Sequence, residues 1–339
     1  MILRTEVVDQ KVEGSRRERL VKDVVMTSGT PLGMVRKRRA DVAETKAAVI
    51  LIHGFAQNRY TWHTTKRSFS AYLAAEGFDV FTAELRGHGR SRHFTEMRPR
   101  MLDEHIREDI PSFVREAIAL SGHDKVFLLG HSMGGLLSYA AAGTVVREKV
   151  KGVISIGSPY RFGAGNTALV WLGKLVEGIH FTGLLDSNPL LPTKYAGPAL
   201  KATHSLFDLP IFPKIARGWR PGQLEHELLH EYLAHSFEAT SVKVTIDLVT
   251  GGDRETLGAS VGRLDYGVAF RAMDLPLLVI AGTEDALAPP PAVKRGYDES
   301  GSKDKMFRVY PLGHIDLILG KEAPTTVWPL IRDWLARRA

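Results

Sequence analysis

The length, composition and charge of this chain are those of an ordinary globular protein, and they exclude several kinds of site. Its 339 residues suffice for one large α/β domain with an insertion, or for two domains. The complete lack of cysteine excludes disulfides, a cysteine nucleophile and cysteine metal ligands.

The net charge of +7 includes basic clusters around residues 16–22 and 36–39. Because no nucleic-acid motif accompanies them, we interpret both clusters as the solvated charges of an edge hairpin that discourage further strand pairing. We therefore predict no nucleic-acid partner and at most weak contact with a lipid surface. The first residues lack the apolar core of a signal peptide, and no apolar run is long enough for a membrane span. The sequence thus predicts a cytoplasmic protein without a transmembrane segment.

Predicted secondary structure begins with an irregular arm at residues 1–20, followed by an antiparallel hairpin of strands 20–26 and 32–38. Strands and helices then alternate. The further predicted strands are 47–52, 78–83, 125–129, 152–157, 275–281 and 306–310, and the predicted helices are 65–76, 103–120, 136–142, 292–297 and 324–337. This alternation, with continuous apolar strands, predicts an α/β fold whose open, mostly parallel sheet has helices on both faces.

The alternation breaks at Ser158-Pro159, and the next hundred or so residues are rich in glycine, proline and large apolar side chains. We predict a first core part at 1–159, an inserted cap at 160–270 and a second core part at 271–339. The cap is expected to lie over the carboxyl ends of the strands, where sheets of this kind bind ligands. Some of its apolar side chains are expected to wall a substrate pocket.

One motif carries most of the chemical information. Gly130-His131-Ser132-Met133-Gly134 lies between the predicted strand 125–129 and the predicted helix 136–142. A serine in a sharp strand-to-helix turn presents its hydroxyl above the sheet, and the helix directs its first N–H groups and positive dipole end toward the same place. This context predicts that Ser132 is a nucleophile.

A serine nucleophile needs a general base, and the base needs an acid to orient it. Asp285 follows the predicted strand 275–281, and His314 follows the predicted strand 306–310. Both therefore fall in loops at the carboxyl edge of the sheet, in the chain order serine, acid, histidine. We predict Ser132, Asp285 and His314 as a catalytic triad, and we expect Asp316 to hold a neighbouring backbone turn.

An acyl-transfer site also needs donors for the developing oxyanion. The backbone N–H of Met133, directly after the nucleophile, is one predicted donor. The second is the N–H of Phe55, in the loop that follows the predicted strand 47–52. His53, in the same loop, is expected to brace the loop and not to act as the base.

Together these motifs resemble the α/β-hydrolase superfamily, in particular bacterial carboxylesterases and monoacylglycerol-lipase-like hydrolases. The segments that carry the resemblance are Leu51-Ile52-His53-Gly54-Phe55, Arg86-Gly87-His88-Gly89-Arg90-Ser91, Gly130-His131-Ser132-Met133-Gly134-Gly135, Gly282-Thr283-Glu284-Asp285 and Gly313-His314. The resemblance implies a two-step acyl-serine mechanism on small-molecule esters or acylglycerols, with no metal and no organic cofactor. Glu84 is a departure, since relatives usually carry an aspartate shortly before Arg-Gly-His-Gly.

Three alternatives stay open at this point. A related serine enzyme could cleave a thioester, an amide or a carbon–carbon bond, and a binding protein could use the same fold without catalysis. His226-Glu227-Leu228-Leu229-His230 also fits the zinc-hydrolase pattern H-E-x-x-H. We favour an ordinary amphipathic helix for that segment, with Leu228, Leu229 and Leu233 facing inward.

Overall fold

The computed structural model describes residues 1–94, 99, 101–160, 189–207, 218–250 and 266–339, with a few isolated positions between 161 and 188. The strands among them are β1 (Ile2–Glu13), β2 (Arg16–Met26), β3 (Gly33–Arg39), β4 (Ala48–Ile52), β5 (Asp79–Glu84), β6 (Val126–His131), β7 (Val150–Ile156), β8 (Leu190–Leu191), β9 (Thr240–Ser241), β10 (Leu277–Gly282) and β11 (Lys305–Tyr310). The helices are α1 (Phe69–Ala75), α2 (Ser91–Phe94), α3 (Leu102–Glu104), α4 (Ile110–Ser121), α5 (Met133–Gly143), α6 (Ala196–Phe207), α7 (His226–His235), α8 (Val242–Thr250), α9 (Tyr266–Arg271), α10 (Pro290–Glu299), α11 (Asp316–Leu319) and α12 (Val327–Ala336).

The main sheet has nine strands in the order β1-β2-β3-β5-β4-β6-β7-β10-β11. All pairs from β5 across to β11 are parallel, which confirms the predicted α/β fold. Every residue of β4 and β6 is buried, because apolar layers cover both faces of the sheet. One layer contains Phe113 of α4 and Leu137 of α5, and the other contains Phe69 of α1 and Trp328 of α12. The carboxyl ends of the parallel strands therefore meet along one edge.

The amino-terminal strands differ in part from the prediction. The predicted antiparallel hairpin of β2 and β3 is confirmed. The prediction of an irregular arm at 1–20 is wrong, because residues 2–13 form β1 and pair with β2 along its length. Polar and charged residues dominate this exposed edge strand, so no apolar periodicity marks it in the sequence. Cross-strand ion pairs line it instead, including Lys22 Nζ to Glu6 Oε1 at 2.8 Å and Arg17 Nε to Asp9 Oδ2 at 2.9 Å.

Because β1 takes the edge position, β3 lies inside the sheet between β2 and β5. The interpretation of 36–39 as solvated edge charges is therefore wrong for two residues: Arg36 is 7% exposed and Lys37 only 3%. Arg36 forms a two-pronged ion pair with Asp79, with Nε–Oδ1 at 2.8 Å and Nη2–Oδ2 at 2.6 Å.

Asp79→Asn is expected to lower the free energy of unfolding by about 3 kcal/mol, because it removes the carboxylate that makes the short contacts with the buried Arg36 guanidinium. Asp23, whose Oδ2 lies 3.6 Å from Arg36 Nη1, is the more distant partner that stays. Urea denaturation measures the change. The matched control is Asp124→Asn, which alters an exposed aspartate and should change stability by less than about 0.5 kcal/mol. Equal stability of the two variants would contradict the prediction.

Part of the predicted cap lies against the carboxyl edge of the sheet. The Glu238 N–H donates to the Ala56 carbonyl oxygen at 2.8 Å, in the loop after β4. The Ile315 N–H donates to the Gly218 carbonyl oxygen at 2.9 Å, in the loop after β11. Residues 161–165, 208–217 and 251–265 of the predicted cap lie outside the described residues, so the division into core and cap stays a prediction. No helix in the described part of the chain is both long and apolar enough to cross a bilayer.

Candidate active site

Ser132 occupies the sharp turn between β6, which ends at His131, and α5, which begins at Met133. Its φ of 54° and ψ of −124° lie in a region that non-glycine residues rarely adopt. The turn is possible because its flanking glycines have no side chain. A Cβ on Gly130 would lie 2.2 Å from the Gly134 carbonyl carbon, and a Cβ on Gly134 would lie 2.2 Å from the Ile52 oxygen. Close packing of strand, helix and β4 thus holds Ser132 in its turn.

Asp285 and His314 meet at the ends of β10 and β11. The His314 Nδ1 lies 2.7 Å from Asp285 Oδ2, and both side chains are buried. The other carboxylate oxygen, Oδ1, accepts the N–H groups of Leu287 at 3.0 Å and Ala288 at 2.8 Å, which fixes the orientation of the acid. With its Nδ1–H donated to the carboxylate, His314 keeps Nε2 as its basic nitrogen.

Two neighbours bring the Ser132 turn next to this pair. The ring centroids of His131 and His314 are 4.4 Å apart, and the His131 Nε2–H donates to the His314 carbonyl oxygen at 3.1 Å. A Cβ on Gly157, at the end of β7, would lie 3.1 Å from Asp285 Oδ2 and 3.3 Å from His314 Nδ1. The three residues of the predicted triad therefore lie at one edge of the sheet.

Burial holds the pKa of His131 well below its usual range, and the nearby His314 adds to this effect. His131 is therefore neutral and places no fixed positive charge beside His314. His131 and Gly157 are positioning residues that were not among those predicted from the sequence. The available signal was their location, since one precedes the predicted nucleophile and the other ends the predicted strand 152–157.

The two predicted oxyanion donors come from elements that flank Ser132. Met133 is the first residue of α5, and Phe55 lies in the loop after β4. This loop runs against the nucleophile, because a Cβ on Gly54 would lie 3.0 Å from the Ser132 Cβ. Directly after Phe55, Ala56 has a φ of 54° and turns the backbone. The geometry of the loop is thus compatible with the predicted roles of Phe55 and Met133, which stay predictions.

His53 braces the loop, as expected. Its Nε2 accepts the Leu85 N–H at 3.2 Å, and its Nδ1–H donates to the Gly54 carbonyl oxygen at 2.9 Å. Both ring nitrogens are occupied and the side chain is fully buried. Burial lowers its pKa well below the usual range, and the neighbouring His88 lowers it further. His53 therefore has no nitrogen available to act as a general base.

Asp316 holds the turn that carries His314, which confirms the expectation. Its Oδ2 accepts the N–H groups of Gly313 at 2.9 Å and of Arg220 at 2.6 Å. Burial raises the pKa of Asp316 to about 7, and the charge of Asp285 contributes to the increase. Arg220, from the predicted cap, shares this carboxylate, a contact that was not predicted from the sequence.

Similarity to known proteins assigns the chain to a family. A family description of the α/β-hydrolase fold matches residues 47–321, which is most of the chain. The chain is an α/β-hydrolase. Among curated relatives, this α/β-hydrolase is 22% identical over 331 residues to lipase member K of Homo sapiens, spanning 84% of this chain and 78% of that protein. It is 23% identical over 340 residues to gastric triacylglycerol lipase of Rattus norvegicus, spanning 90% of this chain and 85% of that protein.

A solved structure gives the same fold. The monoacylglycerol lipase of Paleococcus ferrophilus superposes on the α/β-hydrolase with a TM-score of 0.63 at 19% sequence identity. The match covers 91% of this chain and 99% of that one.

The H-E-x-x-H segment of the α/β-hydrolase forms α7. Leu228, Leu229 and Leu233 are buried, which confirms the amphipathic helix. Glu227, the residue that would act as base in a zinc site, instead places Oε2 2.5 Å from Lys66 Nζ. Within the ranges that the structure describes, no cluster of three or more potential metal ligands occurs. These contacts give the segment a packing role.

Glu84, the departure from the pattern of relatives, fills the turn before Arg90. Its Oε1 accepts from Arg59 Nη1 at 2.9 Å, and its Oε2 accepts the Arg90 N–H at 2.9 Å. The carboxylate is fully buried and closes the turn from inside. In this α/β-hydrolase, Glu84 therefore stabilises the turn by accepting hydrogen bonds from the Arg90 backbone and from the Arg59 side chain.

Proposed function

We propose that Ser132, His314 and Asp285 form the catalytic triad of this α/β-hydrolase, which acts through an acyl-serine intermediate. The chain is a carboxylic ester hydrolase. The observation that carries the proposed triad is the 2.7 Å contact between His314 Nδ1 and Asp285 Oδ2 beside the strained Ser132 turn. A buried aspartate that orients a histidine next to a half-buried serine turn is the arrangement that nucleophilic acyl transfer requires.

The reaction proceeds in two steps. The Ser132 Oγ attacks the ester carbonyl carbon while His314 Nε2 accepts the hydroxyl proton, and Asp285 stabilises the imidazolium that forms. The N–H groups of Phe55 and Met133 donate to the oxyanion, and the amino-terminal dipole of α5 adds to its stabilisation. His314 then protonates the departing alcohol. In the second step His314 activates a water molecule, which releases the acid and restores Ser132.

We propose carboxylic esters with an apolar acyl chain, including acylglycerols, as the substrate class. Relatives named as lipases of triacylglycerol and monoacylglycerol support this choice. Between the loops after β4 and β11, the segment at 218–241 brings apolar side chains to the same edge of the sheet, among them the buried Trp219 and Leu224. Pockets for apolar ligands are walled in this way.

Labelling with a fluorophosphonate probe tests the nucleophile directly. We expect a single modified peptide that contains Ser132, because the probe reacts with a serine activated by a histidine. Ser132→Ala should abolish labelling, and the control Ser121→Ala should keep it. Labelling at another serine, or none, would contradict the assignment.

A series of p-nitrophenyl esters of increasing acyl length measures the chain-length preference in the same preparation. Matched thioester and amide substrates test the related serine chemistries. A higher kcat/KM for one of these than for every ester would favour the corresponding alternative.

A further inference from the structure

A small pocket lined by cations lies between the first strands of the sheet and the turn at Arg59–Thr61. Its volume is about 110 Å³, and none of the three predicted triad residues lines it. Its charged lining residues are Lys22 on β2, Lys37 on β3, Arg59 and Arg90. The pocket therefore brings four permanent or potential positive charges together, with no carboxylate among its lining residues.

In the part of the chain that the structure describes, carboxylates outside the pocket pair with two of these cations. Lys22 Nζ lies 2.8 Å from Glu6 Oε1, and Arg59 Nη1 lies 2.9 Å from Glu84 Oε1. For Lys37 and Arg90, no carboxylate of the described residues lies within ion-pair distance of the side chain. Lys37 Nζ donates to the Ser70 hydroxyl at 3.0 Å. Arg90 has a buried Nη1 for which the described residues offer no hydrogen-bond partner.

Such an arrangement is unfavourable in an empty pocket. A buried charge or donor without a partner costs free energy, and like charges at close range add to the cost. Lys37 shows the consequence: burial, together with the charges of Lys22 and Arg59, lowers its pKa to about 7. An anion in the pocket would pair with the buried donors and would offset the repulsion between the cations. Ammonium and guanidinium groups bind oxyanions through short, charge-assisted hydrogen bonds.

The fold also makes the pocket rigid and accessible. Lys37 lies on a strand that is paired on both sides, and Gly33 of the same strand packs directly on the Arg90 backbone and Cβ. Lys22 and Arg59 keep 29% and 24% of their side chains exposed, so solvent reaches the pocket past them.

We propose that this pocket binds a small oxyanion of the phosphate class, held by Lys37, Arg59 and Arg90. The ligand is either free phosphate or the phosphate monoester headgroup of a larger molecule, since both present the same oxygens. The site is independent of the proposed ester hydrolysis and does not require Ser132.

Isothermal titration calorimetry with inorganic phosphate tests the proposal at constant ionic strength set with chloride. We expect saturable binding with one site per chain. Lys37→Met and Arg90→Gln should each weaken binding by about tenfold or more, since each removes a hydrogen bond to a charged ligand. Lys303→Met and Arg337→Gln, which alter exposed cations elsewhere, are the controls and should bind like the parent. Absence of saturable binding, or equal affinity of all five proteins, would overturn the proposal.

Sulfate provides a second measurement, because its charge is constant between pH 6 and pH 9. Lys37 loses its proton as the pH rises through about 7, so sulfate affinity should decrease over this range. The guanidinium groups of Arg59 and Arg90 stay charged over this range, and burial keeps the pKa of His63 well below its usual range. Lys37→Met should therefore flatten the pH profile. A parent profile that is already flat would contradict the role of Lys37.

Two further measurements test whether the Lys37→Met variant folds and which molecule supplies the ligand. Lys37→Met removes a buried, unpaired cation, so it should fold and should keep the ester turnover of the parent. Vesicles of phosphatidic acid, compared with vesicles of phosphatidylcholine, identify the source of the ligand. Sedimentation with phosphatidic acid that depends on Lys37 indicates a lipid headgroup, and binding of soluble phosphate alone indicates the free ion.

Discussion

Ser132→Ala is expected to lower kcat on p-nitrophenyl esters by on the order of 10⁴-fold or more. In the proposed mechanism, the variant removes the atom that forms the acyl-enzyme, and the proposed oxyanion donors should alone provide a small residual rate. The backbone turn should persist, because the close packing at Gly130 and Gly134 holds the turn and the Ser132 hydroxyl does not. Steady-state kinetics measure the loss, and thermal unfolding verifies that the variant is folded.

The matched control is Ser138→Ala on the same helix. Its buried Oγ donates to the Gly134 carbonyl oxygen at 2.7 Å, so the hydroxyl is engaged in structure and not in the proposed reaction. Turnover of this variant should be of the same order as that of the parent. Near-normal turnover by Ser132→Ala would end the acyl-serine assignment while leaving the fold intact.

The parallel core was predictable because its strands are buried on both faces. Strands such as β4 and β6 leave continuous apolar runs, and the helices between them leave apolar stripes at helical spacing. The shared location of the candidate residues was predictable for the same reason, since loops that follow parallel strands converge at one edge of the sheet. Asp285 and His314 could thus be predicted from their positions after strands together with the chain order serine, acid, histidine.

The features that depend on distant pairings were not predictable. Nothing local to 36–39 indicates that Lys37 is buried, because its burial requires β1 to form and to take the edge of the sheet. The predicted helix 103–120 is likewise divided in the structure: α3 and α4 are separated by a π-helical stretch, His105–Asp109. In this stretch Asp109 accepts from His105 Nδ1 at 2.7 Å and from Arg86 Nε at 2.9 Å, a tertiary network that overrides the local pattern.

Asp285→Asn is expected to lower kcat by about 10⁴-fold without unfolding the protein. The amide oxygen can accept the same hydrogen bonds from the N–H groups of Leu287 and Ala288 that Asp285 Oδ1 accepts. The amide NH₂ then faces His314 Nδ1 and donates to it. This moves the imidazole proton to Nε2, where the ring can no longer accept a proton from Ser132. Kinetics on activated esters and the rate of fluorophosphonate labelling should decrease together.

Glu284→Gln is the control for this change, because it alters the adjacent carboxylate in the same loop. Glu284 is exposed, whereas Asp285 is 2% exposed and directed at His314. The control should keep the turnover of the parent, since the tautomer of His314 depends on Asp285 alone. The opposite result, with Glu284→Gln inactive and Asp285→Asn active, would transfer the role of the acid to Glu284. It would also mean that the hydrogen bond at Nδ1 does not set the basicity of His314.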